Sequence, residues 1–393
     1  MPLTSIPRAD TLAPMSFPPK SGPTNPNPTL GRGEGRSRSK RHTFRPNYLL
    51  FSPTYQCNLN CPHCCVPTEW PERLDVAVAK RFTSECADLG IKEMGFSGGE
   101  PFLYPEFLEK VSRHAARLGF RFDRISTNGA WWRDVAFLET TLKRLFRAGY
   151  TGRLALSVDR FHPVRTDVHA QFCRSAAKVS GRDDVLCIAY ASPSPTEGLE
   201  RVRTLAQALG GVVEWSEALG RYMMVSPEVS ATLNFNHLAA VERAEGITDN
   251  WDGGWFEEDY CEGPGQAFIV NPRGEVKPCC GFASDLDQLT IGNIHRHSAK
   301  DLVRMGREHA YVGVVFGKGL CAVRDAILEK DPAALPGKTT NHCFFCWYAL
   351  TRGLAEGVQA RGGQVGNWVD ADKPQHPAKP GPKAPIPEDQ DES

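Results

Sequence analysis

Three cysteines in one short segment have the spacing of a metal-cluster site. Cys57, Cys61 and Cys64 form a C-x3-C-x2-C pattern, on a stretch punctuated by proline and asparagine that predicts a loop. Their thiolates can surround one side of an iron–sulfur cube, whereas a [4Fe–4S] cluster is held by four thiolates. Three cysteines therefore leave one iron open to a small molecule. This asymmetry favours a cluster that does chemistry on a ligand over one that only transfers electrons.

A second motif ends the next predicted strand and contains Gly98, Gly99 and Glu100. Because glycines lack side chains, a backbone edge there can approach a bound ligand closely, and a carboxylate can accept hydrogen bonds from an amine. In isolation such a triplet predicts only a turn. One strand–helix unit after the cysteines, the same triplet is a much stronger signal of a functional site.

The two motifs, in this order, resemble those of the radical S-adenosylmethionine (radical SAM) enzymes over residues 48–347. The resemblance implies that S-adenosylmethionine chelates the open iron through its amine and carboxylate, with the amine next to Glu100. A structural zinc knuckle or a loop of unrelated thiols is the alternative. It is disfavoured because zinc sites usually have paired arms that supply four ligands.

The composition limits the classes of protein to which the chain can belong. It has 393 residues, 41% of them hydrophobic, and a formal net charge of +0, which gives no sign of a nucleic-acid partner. In a reducing compartment its 13 cysteines are metal ligands more often than disulfides. No apolar run approaches the ~20 residues that a membrane helix needs. We expect a soluble cytoplasmic protein.

Strand and helix patterns alternate along the middle of the chain. Hydrophobic spacing predicts strands at 47–52, 93–97, 122–127, 153–158, 185–191 and 211–215, and helices at 75–89, 105–118, 134–148, 168–178, 197–209 and 239–246. Such repeated units imply parallel strands with right-handed crossovers, which is an α/β fold. They fit the partial (β/α)6 barrel typical of radical SAM enzymes. Cys86, Cys173 and Cys187 lie within these elements and are predicted to pack.

The pattern divides the chain into four regions. We expect a core barrel at 46–245, a small α+β cysteine-rich iron–sulfur domain at 246–365, and disordered tails at 1–45 and 366–393. The basic, proline-rich first tail is compatible with binding a leader peptide or RNA, with an import signal, or with a solvated segment of no further role.

Several polar residues lie at the ends of predicted strands, where α/β barrels carry their sites. Asn128, Ser157 and Asp159 follow the third and fourth strands, and Arg221 follows the sixth. By the resemblance, these residues contact the ribose and the carboxylate of S-adenosylmethionine; strand-end serines and asparagines also cap helices, so both roles stay open. Phe161 and His162 depart from the Ser-x-Asp-Gly of peptide-modifying relatives, and they either face the substrate or pack the loop.

The C-terminal region contains a second group of cysteines. Cys261 and Cys279 flank a predicted hairpin, and Cys343 and Cys346 follow as a C-x2-C pair. The order resembles the auxiliary-cluster domain of radical SAM enzymes, called SPASM or, in its shorter form, twitch, and implies one auxiliary [4Fe–4S] cluster. The full form has further cysteines after this pair, and here none follows. A four-cysteine zinc site satisfies the same count.

Two cysteines remain outside this ligand set. Cys280 is predicted to be a substitute ligand, a ligand of a partial cluster or a reactive thiol. Cys321 is a hydrogen donor to a substrate radical, a substitute ligand, or a packing residue of a helix at 322–328. These alternatives stay open at the level of the sequence.

The function implied by these resemblances is reductive cleavage of S-adenosylmethionine. The 5′-deoxyadenosyl radical would then modify a C–H bond of a substrate, most often in a ribosomally made peptide, by epimerisation, a thioether or a carbon–carbon cross-link. A small metabolite or cofactor precursor is the alternative substrate, and a non-catalytic iron–sulfur or zinc scaffold is the alternative class of protein. An electron donor such as a flavodoxin or ferredoxin is the implied partner.

Overall fold

The centre of the molecule is a sheet whose first five strands alternate along the chain with five helices. The computed structural model describes residues 44–256, 266–279, 281–282, 286–317 and 319–356. The strands are β1 (Tyr48–Phe51), β2 (Glu93–Phe96), β3 (Arg121–Thr127), β4 (Arg153–Ser157) and β5 (Leu186–Ser192). The helices are α1 (Val76–Asp88), α2 (Pro105–Arg117), α3 (Val135–Arg147), α4 (Thr166–Ser180) and α5 (Leu199–Ala208). Consecutive strands from β1 to β5 pair in parallel, so the predicted α/β fold is confirmed.

The sixth parallel strand is not the one that the sequence predicts. The predicted strand at 211–215 exists as β6 (Val212–Ser216), but it forms an antiparallel hairpin with β7 (Arg221–Val225). The chain reverses there through Gly220, whose φ of +58° lies in the left-handed region that glycine adopts without strain. The strand β8 (Ser230–His237) then pairs in parallel with β5 and takes the sixth position. As a result β6 forms one edge of the sheet.

The C-terminal strands extend the same sheet on its other side. The strand β9 (Ala267–Val270) pairs in parallel with β1, and β10 (Glu275–Lys277) returns antiparallel to it, which confirms the predicted hairpin. The side-chain oxygen of Asn271 fixes the turn by accepting hydrogen bonds from two backbone amides downstream. The strand β11 (Gly292–Asn293) is the outermost. The sheet thus runs through both predicted regions, and the boundary at residue 246 stays a prediction.

The helix predicted at 239–246 is wrong, because this segment forms only a short 3-10 turn at Glu242–Ala244. The side chain of Asn250 accepts a hydrogen bond from the backbone N–H of Ala240 at 2.6 Å and donates one to the carbonyl oxygen of Leu238 at 3.1 Å. The second bond occupies a carbonyl oxygen that would otherwise accept from the first turn of the predicted helix. The later helices are α6 (Ala299–Glu308), α7 (Ala310–Gly317), α8 (Leu320–Lys330), which is the helix predicted near Cys321, and α9 (His342–Thr351).

The main apolar core lies between the sheet and the helices α1 to α5, and it includes Cys86 and Cys173. Cys187 is also buried, so the packing role predicted for these three cysteines is confirmed. A second apolar group, here called the linker cluster, joins Ala239, Ala240, Val241, Cys279, Leu289, Phe344, Trp347 and Leu350. A third, here called the helical cluster, is formed mainly by α7, α8 and α9. Among the described residues no helix is both long and apolar enough to span a bilayer.

Candidate active site

The three cysteines of the first motif lie on a loop that leaves the carboxyl end of β1. Cys61 is buried, and Cys57 and Cys64 are half-buried. Burial raises the pKa of Cys61 to about 12, and the neighbouring thiols of Cys64 and Cys57 add to this effect. Burial also raises the pKa of Cys57, to which Glu100 and Cys64 contribute. Thiols whose pKa values are raised, as those of Cys57 and Cys61 are, need a cationic centre to become thiolates, so the group fits an iron–sulfur cluster.

The Gly-Gly-Glu turn is bonded directly to the base of the cysteine loop. The backbone N–H of Gly99 donates to the carbonyl oxygen of Thr54 at 3.0 Å, and that of Glu100 donates to Gln56 at 2.9 Å. A Cβ atom on Gly98 would lie 2.4 Å from the carbonyl oxygen of Thr54. The missing side chains therefore make room for the loop itself. The predicted contact of Gly98 and Gly99 with a ligand stays a prediction.

Glu100 is fully buried beneath this turn. Its carboxylate accepts hydrogen bonds from the backbone N–H of Asn128 at 2.7 Å, from that of Phe102 at 3.1 Å, and from the hydroxyl of Thr127 at 3.0 Å. Burial raises the pKa of Glu100 from 4.5 to about 7, although these hydrogen bonds oppose the rise. The carboxylate is thus held in one place and gains from a nearby positive charge. An ammonium group supplies such a charge.

Asn128 connects the end of β3 to the cysteine loop. Its side-chain amide donates to the side-chain oxygen of Asn58 at 2.9 Å and lies 3.6 Å from the sulfur of Cys57. Its backbone carbonyl is bonded to the ring of His169 on α4 at 3.0 Å. The sequence predicts Asn128 as a ligand of the cofactor. The contacts within the chain support the loop that carries Cys57, and the direct contact with a cofactor stays a prediction.

Asp159 is almost fully buried, and its two oxygens are occupied by groups of the chain. One oxygen accepts from the backbone N–H groups of Phe161 and His162 and from the ring nitrogen Nδ1 of His162 at 2.9 Å. The other accepts from the backbone N–H of Ala191 at 3.1 Å. Burial alone would raise its pKa, but the hydrogen bond and charge of His162 hold the pKa of Asp159 below its ordinary value. Ser157, at the end of β4, is half-buried, and its role as a ligand stays a prediction.

Arg221 begins β7, which runs antiparallel to β8, so it lies beside the carboxyl end of β8. Its guanidinium donates to the side-chain oxygen of Asn234 at 3.4 Å and to the carbonyl oxygen of Leu219 at 3.4 Å. The residue is therefore on the side of the sheet where the parallel strands end. A contact with the carboxylate of S-adenosylmethionine stays a prediction.

Two residues near the cysteine loop were missed from the sequence. Arg243 donates to the carbonyl oxygen of Cys64 at 3.2 Å and also bonds the side chain of Asn60. His63 packs its ring against those of Phe161 and His162, each with centroids 4.9 Å apart. Its Nδ1 atom is buried with no hydrogen-bond partner among the described residues, and burial lowers the pKa of His63 to about 4. The one sequence signal for this group was that the stretch with Phe161 and His162 departs from the usual Ser-x-Asp-Gly pattern of peptide-modifying relatives.

The second group of cysteines is brought together in part. Cys279 belongs to the linker cluster, against which Cys346 packs. A Cβ atom on Gly281 would lie 2.6 Å from the sulfur of Cys343, and burial, with the nearby Cys343 thiol, raises the pKa of Cys346 to about 12. These thiols also fit an iron–sulfur site. Cys261 and Cys280 lie outside the described residues.

Two further cysteines have different surroundings. Cys321 packs against the helical cluster, near the start of α8, which agrees with the packing alternative. Its role as hydrogen donor stays a prediction. Cys65 packs against the linker cluster, so the residue after Cys64 faces the C-terminal region.

Comparison with known families decides the class of the protein. Residues 51–182 match the model of the radical SAM superfamily, and residues 261–311 match the SPASM model, described as an iron–sulfur cluster-binding domain. The chain is a radical SAM enzyme with a SPASM domain. The cofactors of this radical SAM enzyme are S-adenosylmethionine, the [4Fe–4S] cluster that cleaves it, and an auxiliary iron–sulfur cluster.

Curated relatives and solved structures resemble this radical SAM enzyme over part or most of its length. The "PqqA peptide cyclase" of Xanthomonas campestris pv. campestris (strain 8004) is 28% identical over 303 residues, which are 67% of this chain and 75% of the relative. That of Gluconobacter oxydans is 36% identical over 107 residues, 26% of this chain and 28% of the relative. Streptococcus suis SuiB bound to the precursor peptide SuiA has a TM-score of 0.49 at 15% identity and covers 76% of both chains.

Proposed function

We propose that this radical SAM enzyme modifies a ribosomally made peptide. The observation that carries the proposal is the similarity to the PqqA peptide cyclases, which extends over two thirds of this chain and three quarters of the relative. By their name, those relatives cyclise a peptide. A similarity over that share of both chains supports a substrate of the same chemical class.

In this proposal Cys57, Cys61 and Cys64 hold the [4Fe–4S] cluster, and Glu100 binds the amine of S-adenosylmethionine. When reduced, the cluster and its ligand supply the radical that removes a hydrogen atom from the substrate. The residues of the chain position the ligand. An ammonium group beside Glu100 would stabilise its buried carboxylate through Coulomb attraction. Asn128 holds the loop that carries Cys57.

The auxiliary cluster is proposed to be a single [4Fe–4S] cluster bound by Cys279, Cys343, Cys346 and Cys261. The first three lie in or against the linker cluster or beside Gly281, which follows β10. Electrons are proposed to come from a flavodoxin or ferredoxin. We further propose the division of the chain into a barrel at 46–245 and an iron–sulfur domain at 246–365, with Asn128, Ser157, Asp159 and Arg221 on the cofactor side of the barrel.

Anaerobic reconstitution tests the peptide assignment. The enzyme is incubated with S-adenosylmethionine, a chemical reductant and the peptides encoded by short reading frames beside its gene. We expect 5′-deoxyadenosine and a peptide whose mass or stereochemistry has changed. The triple variant Cys57→Ala, Cys61→Ala, Cys64→Ala is the control and should form neither. Cleavage of S-adenosylmethionine with every peptide left unchanged would contradict the peptide assignment and favour a small metabolite.

A further inference from the structure

Asp159 and His162 form a hydrogen-bonded pair after β4. The ring nitrogen Nδ1 of His162 lies 2.9 Å from a carboxylate oxygen of Asp159, and the two backbone amides that this oxygen also binds fix the turn. A carboxylate at Nδ1 keeps the proton on that nitrogen and leaves a lone pair on Nε2. The pair therefore presents one hydrogen-bond acceptor in a fixed direction.

The same side chains, together with His63, have donor atoms within 4.8 Å of one another, which is close enough for a metal ion. The carboxylate argues against this use. The oxygen of Asp159 that faces His162 already accepts three hydrogen bonds and has no lone pair left for a cation. The other oxygen accepts one from Ala191 and keeps a single lone pair. The arrangement is that of an oriented histidine.

The position of His162 brings it to the cysteine loop. Its side chain is 16% exposed, whereas that of Asp159 is 2% exposed, so the histidine is the open member of the pair. Its ring lies edge-on to that of His63, which stands between Cys61 and Cys64 in the chain. Among the described residues, Nε2 of His162 takes part in none of the hydrogen bonds found. The open member of the pair therefore lies beside the cysteine loop.

We propose that His162 accepts a proton from the peptide when the modified bond forms, and that Asp159 is its positioning residue. The inference rests on the proposed function and assigns the reaction to oxidative cross-linking. A carbon radical, left after removal of one hydrogen atom, bonds to a second side chain that carries an X–H group. The X–H bond breaks and its proton moves to Nε2 of His162. The auxiliary iron–sulfur cluster, which Cys279, Cys343 and Cys346 would help to hold, would supply the one-electron oxidant that this bond formation requires. The peptide loses two hydrogen atoms in total.

The test compares the wild type with His162→Gln and Asp159→Asn under the anaerobic conditions above, with the peptide encoded beside the gene. The measured quantity is the ratio of peptide lighter by two hydrogen atoms to 5′-deoxyadenosine. Hydrogen abstraction precedes the proton transfer, so His162→Gln should still form 5′-deoxyadenosine. Its ratio should fall about 100-fold, which is the range of a lost general base. Asp159→Asn should give an intermediate ratio, because the ring loses its fixed tautomer.

A second readout does not depend on turnover. In the full-length metal-free chain at high pH, the ¹⁵N resonances of His162 should show a proton on Nδ1 and a lone pair on Nε2, and Asp159→Asn should mix the two tautomers. The matched control is His114→Gln on α2, where the ring is bonded to the hydroxyl of Ser84 at 2.8 Å. This variant should keep the wild-type ratio.

Several results would overturn the inference. They are an unchanged ratio in His162→Gln, a wild-type product of unchanged mass, a proton on Nε2 in the wild type, or a metal other than cluster iron that His162→Gln lacks. If His162→Gln binds less iron, its product ratio is not interpretable. The inference is then tested by Asp159→Asn alone, through its product ratio and the tautomer of His162. A wild type that epimerises its peptide would sink this inference and leave the proposed function intact, whereas a wild type that modifies no peptide would sink both.

Discussion

Gly99 lies so close to Tyr55 that a Cβ atom on the glycine would stand 2.1 Å from the carbonyl oxygen of the tyrosine. The same atom would stand 2.4 Å from the carbonyl oxygen of Gln56. Both contacts are with backbone, which cannot turn aside as a flexible side chain would. The turn after β2 and the loop after β1 therefore fit together only if residue 99 has no side chain.

The first prediction follows from this fit. Gly99→Ala should displace the loop that carries Cys57, destabilise the fold by about 3 kcal/mol, and lower the bound iron by about one [4Fe–4S] cluster. Iron analysis and urea unfolding measure the two effects. Gly313→Ala is the matched control, since nothing lies within 4 Å of its Cβ position in α7 and alanine favours a helix by about 1 kcal/mol. Equal iron in both variants would contradict the prediction.

The second prediction separates adjacent cysteines. Cys64→Ala should lose the cluster at the loop and all cleavage of S-adenosylmethionine. Cys65→Ala should keep both, because Cys65 packs against the linker cluster, where it is one of several apolar contacts. Iron content and 5′-deoxyadenosine are measured for each variant. The reverse pattern, with loss in Cys65→Ala and retention in Cys64→Ala, would move the third ligand to residue 65.

The sequence predicts those elements whose hydrophobic spacing matches the face that they bury in the fold. The predicted helix at 75–89 is α1 (Val76–Asp88), because its apolar spacing is that of the face it buries and Asp75 caps its first turn. The predicted strand at 153–158 is β4 (Arg153–Ser157), which is buried except at its ends. In both cases neighbours in sequence determine the element.

The failures concern contacts between distant segments. The strand at 211–215 was correctly identified, but its hydrophobic pattern does not indicate which strand it pairs with. It forms a hairpin with β7 through the turn at Gly220, and β8 is the strand that pairs in parallel with β5. Arg243 reaches Cys64 across 179 residues of sequence, and no motif marks it. The predicted ligand Asp159 was found next to the cysteine loop, yet its bond to Ala191 depends on how β4 and β5 pair.

The third prediction uses the raised pKa of Glu100. The group binds its proton up to about pH 7 in the folded chain and up to about 4.5 when exposed. Its contribution to stability is therefore complete below pH 4.5 and is lost as the pH rises from 4.5 to 7, by about 3 kcal/mol. Glu100→Gln cannot ionise and should lack this loss. In the metal-free chain, the unfolding free energy of the variant should gain on the wild type across this range.

Urea unfolding between pH 5 and 8 checks the third prediction. The measured quantity is the difference in unfolding free energy between Glu100→Gln and the wild type. Other titrating groups are common to both and cancel in this difference. Curves that stay parallel would show that Glu100 does not titrate in this range. Addition of an ammonium ligand should reverse the direction of this pH dependence, so that the wild type gains in unfolding free energy on the variant as the pH rises. The reason is that a positive charge beside Glu100 stabilises its ionised form.

The last prediction concerns the C-terminal cysteine pair. The hydroxyl of Tyr311 donates a hydrogen bond to the sulfur of Cys346 at 3.2 Å. Hydrogen bonds to ligand sulfurs stabilise the more negative, reduced state of a cluster and so raise its reduction potential. Tyr311→Phe should therefore make the potential of the auxiliary cluster more negative and leave its iron content unchanged, as measured by a redox titration followed by electron paramagnetic resonance.

Tyr348→Phe is the matched control for this last change. Tyr348 packs against the same linker cluster and against the ring of Trp251 at 4.9 Å, and none of the hydrogen bonds found among the described residues joins its hydroxyl to a cysteine. The two variants remove the same atom from two tyrosines that pack against the same cluster, so a general effect of packing would move both potentials. A shift in Tyr311→Phe alone would support Cys346 as a cluster ligand, because a sulfur outside the cluster has no influence of this kind on its potential. Equal potentials in both variants would place Cys346 outside the ligand set.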